Sequence, residues 1–411
     1  MSDIQPFKGI RPKQDLVQEV ASPPYDVMNS KEAKKLAKQN PYSYLRVVKA
    51  EVNFDSDIDT HSEEVYQKSA EVLQGFIRDG ILIQDSSPSF YIYEITMGSH
   101  TQRGLMFGAS LEEYENGLIK KHEFTIREKE DDRAHHVEVL NANTGPVMLS
   151  YHADKNIDDH FEKICAATEP TYNFTADDGI KHVMWVISDP EDVEGIQEDF
   201  KNLEAMYIAD GHHRSAAAFR VRNTKREKNP SHTGDELYNY FLAVAFPDNQ
   251  QQILGYYRTV KDLNGLSPEE FMNKISENFE MSETSDPTPK KPRHFTMYLD
   301  EKWYSLTAKE GTFPAGDPVL SLDASILHKN LLEPVLNLYD IKTNDRIDFI
   351  GGIRGTQELV KRCNEDMRVA FALYPTSISQ LMSVADSSEV MPARSTWFEP
   401  KLRSGIVTRS L

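Results

Sequence analysis

The chain has 411 residues, more than one hydrophobic core usually serves, so two domains are expected. A hydrophobic fraction of 39% with 18 Tyr and 19 Phe excludes global disorder. Against 65 acidic side chains stand 46 basic ones, a net charge of −19. That sum disfavours long nucleic acids, whose phosphates such a surface repels unless a local basic patch overrides the total.

The first residues lack the basic and then apolar regions of a signal peptide, and no apolar run approaches the ~20 residues that cross a bilayer. No membrane partner and a cytoplasmic location are therefore expected. Residues 22–27, SPPYDV, form a stiff approach in which two prolines fix the delivery of Tyr25 and Asp26. A carboxylate on a rigid loop suits a general base or a metal ligand, and equally suits a plain surface turn. A helix capped at Ser30 should follow and stop at Asn40-Pro41.

Further on, Val65, Val72, Leu73, Phe76 and Ile77 recur at helical spacing from about Thr60, with Gly80 as the stop. A strand is expected over 90–95, helices over 154–165 and 192–203, and strands over 183–187, 206–209 and 241–246. The acidic stretches 51–64 and 189–204 read as solvated faces. Residues 282–293, SETSDPTPKKPR, read as a loop, and LNGLS at 263–267 separates a strand pattern from a helix pattern. The domains are accordingly placed at 1–262 and 263–411. Cys165 and Cys363 belong to no metal-binding or disulfide spacing.

The densest chemistry lies at Asp210-Gly211-His212-His213-Arg214, directly after a predicted strand and before the helix former SAAAF. A strand ending at a carboxylate, a glycine turn, and a helix whose first turn carries two imidazoles and a guanidinium suit an anion. Backbone N–H groups there bind phosphate, while Asp210 is the candidate ligand for a divalent cation. The bland alternative makes Asp210 a helix cap and the histidines carbonyl partners.

A second cluster is His122-Glu123-Phe124-Thr125, followed by Asp131, Asp132, Arg133, His135 and His136. It lacks the histidine spacing of a zinc protease, yet His122, Glu123 and Thr125 can face a polar cleft. His135 and His136 read as ordinary helix residues. At 345–355, DRIDFIGGIRG reads as a strand, a glycine turn and a helix from Thr356, without the dinucleotide or Walker signatures. From Met391 onward four cations (Arg394, Lys401, Arg403, Arg409) face one acid, Glu399. Arg394, Ser395, Thr396, Lys401 and Arg403 can chelate phosphoryl oxygens, and Trp397 or Phe398 can stack on a base or pack in a core.

SPPYDV, HEFT, YIADGHHR, RIDFIGGIRG and MPARSTWFEPKLRSG, in this order, resemble the bacterial and archaeal family catalogued as domain of unknown function 1015. More distantly, the rigid N-terminal segment with a later DGHHR turn resembles the ParB and sulfiredoxin superfamily, which includes nucleotide-binding ParB proteins and free serine kinases. The resemblance implies an α+β fold of mixed sheets with interspersed helices. A ParB-like core with insertions would occupy 1–262, and a second α+β region would send its basic tail back to the site.

It also implies Asp210, Gly211, His212, His213 and Arg214 for phosphate and Mg, Asp26 as the base, and ATP or ADP as cofactor. His122, Glu123, Arg394, Ser395, Thr396, Lys401 and Arg403 are the further phosphate- or nucleotide-binding candidates. The expected activity interconverts serine and O-phosphoserine, with a phosphoserine phosphatase and a non-catalytic nucleotide-binding regulator as alternatives. The expected partners are a small phosphorylated metabolite and a nucleotide, and a homodimer is compatible with this reading.

Overall fold

The computed structural model describes residues 2–411 and has an α+β architecture of mixed sheets with interspersed helices. The chain falls into two units, residues 1–251 with 400–411, and residues 252–399. The division lies ahead of the expected cut at 262/263 because the strand Tyr256–Val260 pairs wholly with the second unit's sheet. The last twelve residues, 400–411, rejoin the first unit. No helix among the described residues is long and apolar enough to cross a membrane.

The first unit is built on a nine-stranded mixed sheet. Its strands are β1 (Ile4–Gln5), β2 (Phe90–Met97), β3 (His100–Ser110), β4 (Ile119–Lys120), β5 (Val147–Tyr151), β6 (Tyr172–Thr175), β7 (Lys181–Ile187), β8 (Met206–Asp210) and β9 (Tyr240–Pro247). They run in the order β4-β8-β5-β9-β3-β2-β7-β6, with β1 on β3. The β8–β4 and β9–β5 pairings are parallel and the others antiparallel.

The longer helices of this unit are α1 (Ser30–Gln39), α2 (Glu63–Arg78), α3 (Arg127–Leu140), α4 (Lys155–Ala167), α5 (Pro190–Lys201) and α6 (His212–Lys228). β5 is buried throughout and β9 from Phe241 onward, so both read as near-continuous apolar runs rather than alternating ones. Ile157 and Phe161 of α4 and Ile196 and Phe200 of α5 pack on Leu105, Phe107 and Ala243 of the sheet. A separate core gathers Ala33 and Ala37 of α1, Leu73 and Phe76 of α2, and Tyr44.

The caps follow sequence chemistry closely. Asp154 and Asp189 accept from backbone N–H groups at the starts of α4 and α5. For α1 the cap is Asn29 rather than Ser30, because Asn29 and Glu32 form a reciprocal capping box. The tail adds two backbone bridges. Ser22 and Ser404 exchange N–H···O bonds, as do Ile10 and Thr408.

The second unit holds a six-stranded antiparallel sheet. Its strands are β10 (Tyr256–Val260), β11 (Phe279–Thr284), β12 (His294–Leu299), β13 (Lys302–Ala308), β14 (Ile347–Gly351) and β15 (Val369–Leu373), ordered β11-β13-β12-β15-β10-β14. The expected loop over 282–293 begins later than its composition indicates, since Ser282 to Thr284 still pair with β13. The glycine turn after β14 serves packing. A Cβ at Gly351 would lie 2.6 Å from the Trp397 ring, and one at Gly352 would lie 2.5 Å from the Gly255 carbonyl. Trp397 itself is half-buried and meets Tyr256 edge to face at 5.3 Å.

Candidate functional site

Strand β8 ends at Asp210, Gly211 turns the chain at φ 106°, and α6 starts at His212. That backbone region excludes side chains, and the Arg214 guanidinium lies 3.2 Å from where a Cβ on Gly211 would sit. Glycine is thus required twice over, by the turn and by the arginine folded across it.

Asp210 is held from two sides. Lys401 Nζ donates to Oδ2 at 2.8 Å, and an Arg214 guanidinium nitrogen lies 3.6 Å from Oδ1. Burial works to raise the Asp210 pKa, but Lys401 and Arg214 outweigh it and hold the carboxyl well below the usual range. Arg214 also donates to the Pro146 carbonyl. The three side chains are 28%, 14% and 19% exposed for Asp210, Arg214 and Lys401, so a ligand can reach a partly desolvated cluster. Lys401 comes from the returning tail, nearly two hundred positions away in sequence (|i−j| = 191).

The loop 122–126 is clipped to the first turn of α6 by both imidazoles. His213 Nε2 accepts from the Ile126 N–H at 3.0 Å, and His212 Nε2 from the His122 N–H at 3.4 Å. Thr125 closes the loop by donating to Glu130. His122 and His212 are buried and cross edge to face at 4.4 Å. Burial lowers the His122 pKa to about 4, and burial with His122 beside it takes His212 well below its ordinary value.

Tyr25 enters from the rigid SPPYDV segment, where the Arg133 guanidinium sits 4.2 Å from its ring centroid. Burial and then the Asp26 charge push the Tyr25 hydroxyl up to about 12. Asp26 is exposed, and its charge also acts on Arg214, so this carboxylate and the DGHHR turn share one electrostatic neighbourhood. Beside Arg214 lies a cavity of about 30 Å³ lined by Tyr25, Arg133, His136, Asn143 and Ser404, room for one or two waters.

Other expected residues have different surroundings. Arg403 is buried, donating to Asp178 and, at 3.2 Å, to His182 Nε2, so it cross-links the tail to β7 and its adjoining turn instead of offering phosphate a guanidinium. Arg394, Ser395 and Thr396 belong to the second unit. There Ser395 is buried and donates to the Pro392 carbonyl, while the Arg394 carbonyl accepts from buried Arg258. Sequence reasoning passed over Arg133 and Tyr25 as site walls. The cation–π pair carries no spacing signal, because it joins a loop and a helix more than a hundred residues apart.

His122, Glu123 and His212 each offer one ligand atom, all within 4.8 Å of one another. Asp210, the expected metal ligand, stands outside this group and is engaged by Lys401 and Arg214.

No curated protein matches the chain. Among solved structures it is similar to "Free serine kinase in complex with AMP", at 11% identity and a TM-score of 0.36, covering 74% of this chain and 91% of that one. It is similar also to "SbnI with C-terminal truncation from Staphylococcus aureus", at 11% identity and 0.39, covering 74% and 87%. A conserved hypothetical protein from Pyrococcus furiosus gives 13% identity and 0.35, covering 74% and 95%. At such scores the likenesses carry no functional argument. The family model for "Protein of unknown function (DUF1015)" matches residues 4–325, most of the length, and the chain belongs to that family.

Proposed function

We propose that the chain is a Mg-dependent phosphotransferase that interconverts free serine and O-phosphoserine with ATP or ADP. The observation that carries the reading is the cluster at the start of α6: an ionised Asp210 flanked by Lys401 and Arg214 beside backbone N–H groups. Two cations and a helix N-terminus match the charge that spreads over a phosphoryl group in transfer. Choice of serine rests on the motif set and on the expectation it raises.

Lys401 and Arg214 bind phosphoryl oxygens, and the α6 N–H groups orient them. Asp26, exposed and within electrostatic reach of Arg214, takes the proton from the attacking hydroxyl. An ionised carboxylate suits Mg, which commonly binds through one or two carboxylates together with substrate phosphates. Asp210 would hold it, and the ion would neutralise charge on the transferring group. The loop 122–126, clipped to His212 and His213, walls the site on one side.

The test incubates purified protein with serine, Mg and either ATP or ADP, and with phosphoserine, Mg and either ADP or AMP, following phosphoserine by phosphorus NMR. Phosphoserine should form or be consumed, and Asp26→Asn should lower kcat by about 10²–10⁴-fold. Absence of turnover in every combination overturns the reading. Release of inorganic phosphate from phosphoserine without nucleotide selects a phosphatase instead.

A further inference from the structure

We infer that His122, Glu123 and His212 form a binding site for a first-row transition ion of the Zn, Mn or Co kind, separate from any Mg carried by a nucleotide. Loop 122–126 supplies two of the ligands and the first residue of α6 the third, and the three ligand atoms lie within 4.8 Å of one another. Two imidazoles and a carboxylate are the donor set of borderline ions, whereas Mg favours oxygen throughout.

A second observation points the same way. His122 is 2% exposed, and its Nδ1 is buried without a hydrogen-bond partner among the described residues. The neutral imidazole protonated on Nε2 carries a lone pair on Nδ1. A buried nitrogen lone pair with nothing to accept is costly, and an ion removes that cost.

His212 is equally buried, with Nδ1 3.9 Å from Glu123 Oε2 and Nε2 in a long 3.4 Å contact with the His122 N–H. Bonds of about 2.0–2.2 Å bring ligand atoms to roughly 3.5 Å in a tetrahedral site. Rotation of the exposed Glu123 side chain and a small shift of one imidazole close the difference. Three protein ligands leave a further position open to water or substrate, the pattern of a catalytic rather than a structural ion.

The site stands or falls apart from the phosphotransfer reading, since its readout is the ion itself. Full-length protein stripped with chelator is titrated with Co²⁺, and the visible absorption of the bound ion is followed. One equivalent should bind, Zn²⁺ should displace it, and millimolar Mg²⁺ should not. Glu123→Ala and His122→Gln should each weaken Co²⁺ by at least roughly tenfold. Glu123 is exposed, so its variant decides the matter even where His122→Gln fails to fold. Absence of a one-equivalent Co²⁺ spectrum overturns the assignment, and so does binding that Glu123→Ala leaves unchanged.

Discussion

His136 and His182, two of the four buried histidines of the first unit whose pKa burial lowers, make its stability depend steeply on pH. His182 is 1% exposed, its Nδ1 lies 2.8 Å from the Tyr93 hydroxyl, and its Nε2 accepts from Arg403. Burial first, and Arg403 second, lower its pKa to about 3. His136 is likewise buried beneath α2, bonded to Ser69, and lowered to about 3 by burial and by Arg133. An unfolded histidine titrates near 6.5, so between about pH 6 and 4 the unfolded chain carries a proton on each of these two side chains that the folded unit refuses.

Both folded pKa values lie below the unfolded one. The stabilisation is therefore complete above about pH 6.5 and is lost as pH falls. Each site contributes a slope of about 1.4 kcal/mol per pH unit, and the pair about 2.7. Over one and a half units that approaches roughly 4 kcal/mol, a large share of the ~5–15 kcal/mol typical of a folded domain.

The assay is urea unfolding by circular dichroism at several pH values from about 6.5 to 4.5, for the native chain and for His182→Gln at fixed ionic strength. Other carboxylates titrate equally in both, so the difference isolates one imidazole. The substitution costs stability at neutral pH, and the variant's disadvantage should shrink by about 1.4 kcal/mol for each unit of acidification. Parallel slopes for the two proteins, or a gap that widens toward acid, refute the reasoning.

The returning tail supports two further tests. Gly405 has φ 84°, and a Cβ there would lie 2.5 Å from Tyr44 Cγ, so Gly405→Ala should cost about 2–4 kcal/mol in urea unfolding. A loss under about 0.5 kcal/mol would show that the tail is not seated against Tyr44. Lys401→Met removes the 2.8 Å partner of Asp210, so the carboxyl pKa should rise toward the ordinary range and kcat/KM for phosphoryl transfer should fall about 10²-fold with little change in urea midpoint. An unaltered kcat/KM would remove Lys401 from the phosphate site.

Much of this site was legible as residues, and little of it as partnerships. The DGHHR turn declares itself because a carboxylate, a glycine and three cation-capable side chains fall within one turn. The strand before and helix after it follow from an apolar run and an alanine-rich stretch. HEFT shows as a polar cluster, yet the convergence of His122 with His212 depends on β4 lying parallel to β8, a pairing between segments about ninety residues apart. The tail shows how composition misleads: its cations look equivalent, but Lys401 reaches Asp210 while Arg403 is spent on Asp178 and His182.

By itself the sequence determined local matters: capped helices, buried strands written as apolar runs, a glycine where φ must be positive, and a motif set sufficient to place the family. These depend on neighbours within a turn or two, whose chemistry is written in adjacent letters. Tertiary structure alone decided where the second unit begins, which tail cation faces Asp210, and that His122 keeps a buried lone pair beside Glu123 and His212. Each of those outcomes is set by strand order and by burial, and the energy of a buried charge or lone pair depends on partners that no spacing in the chain encodes.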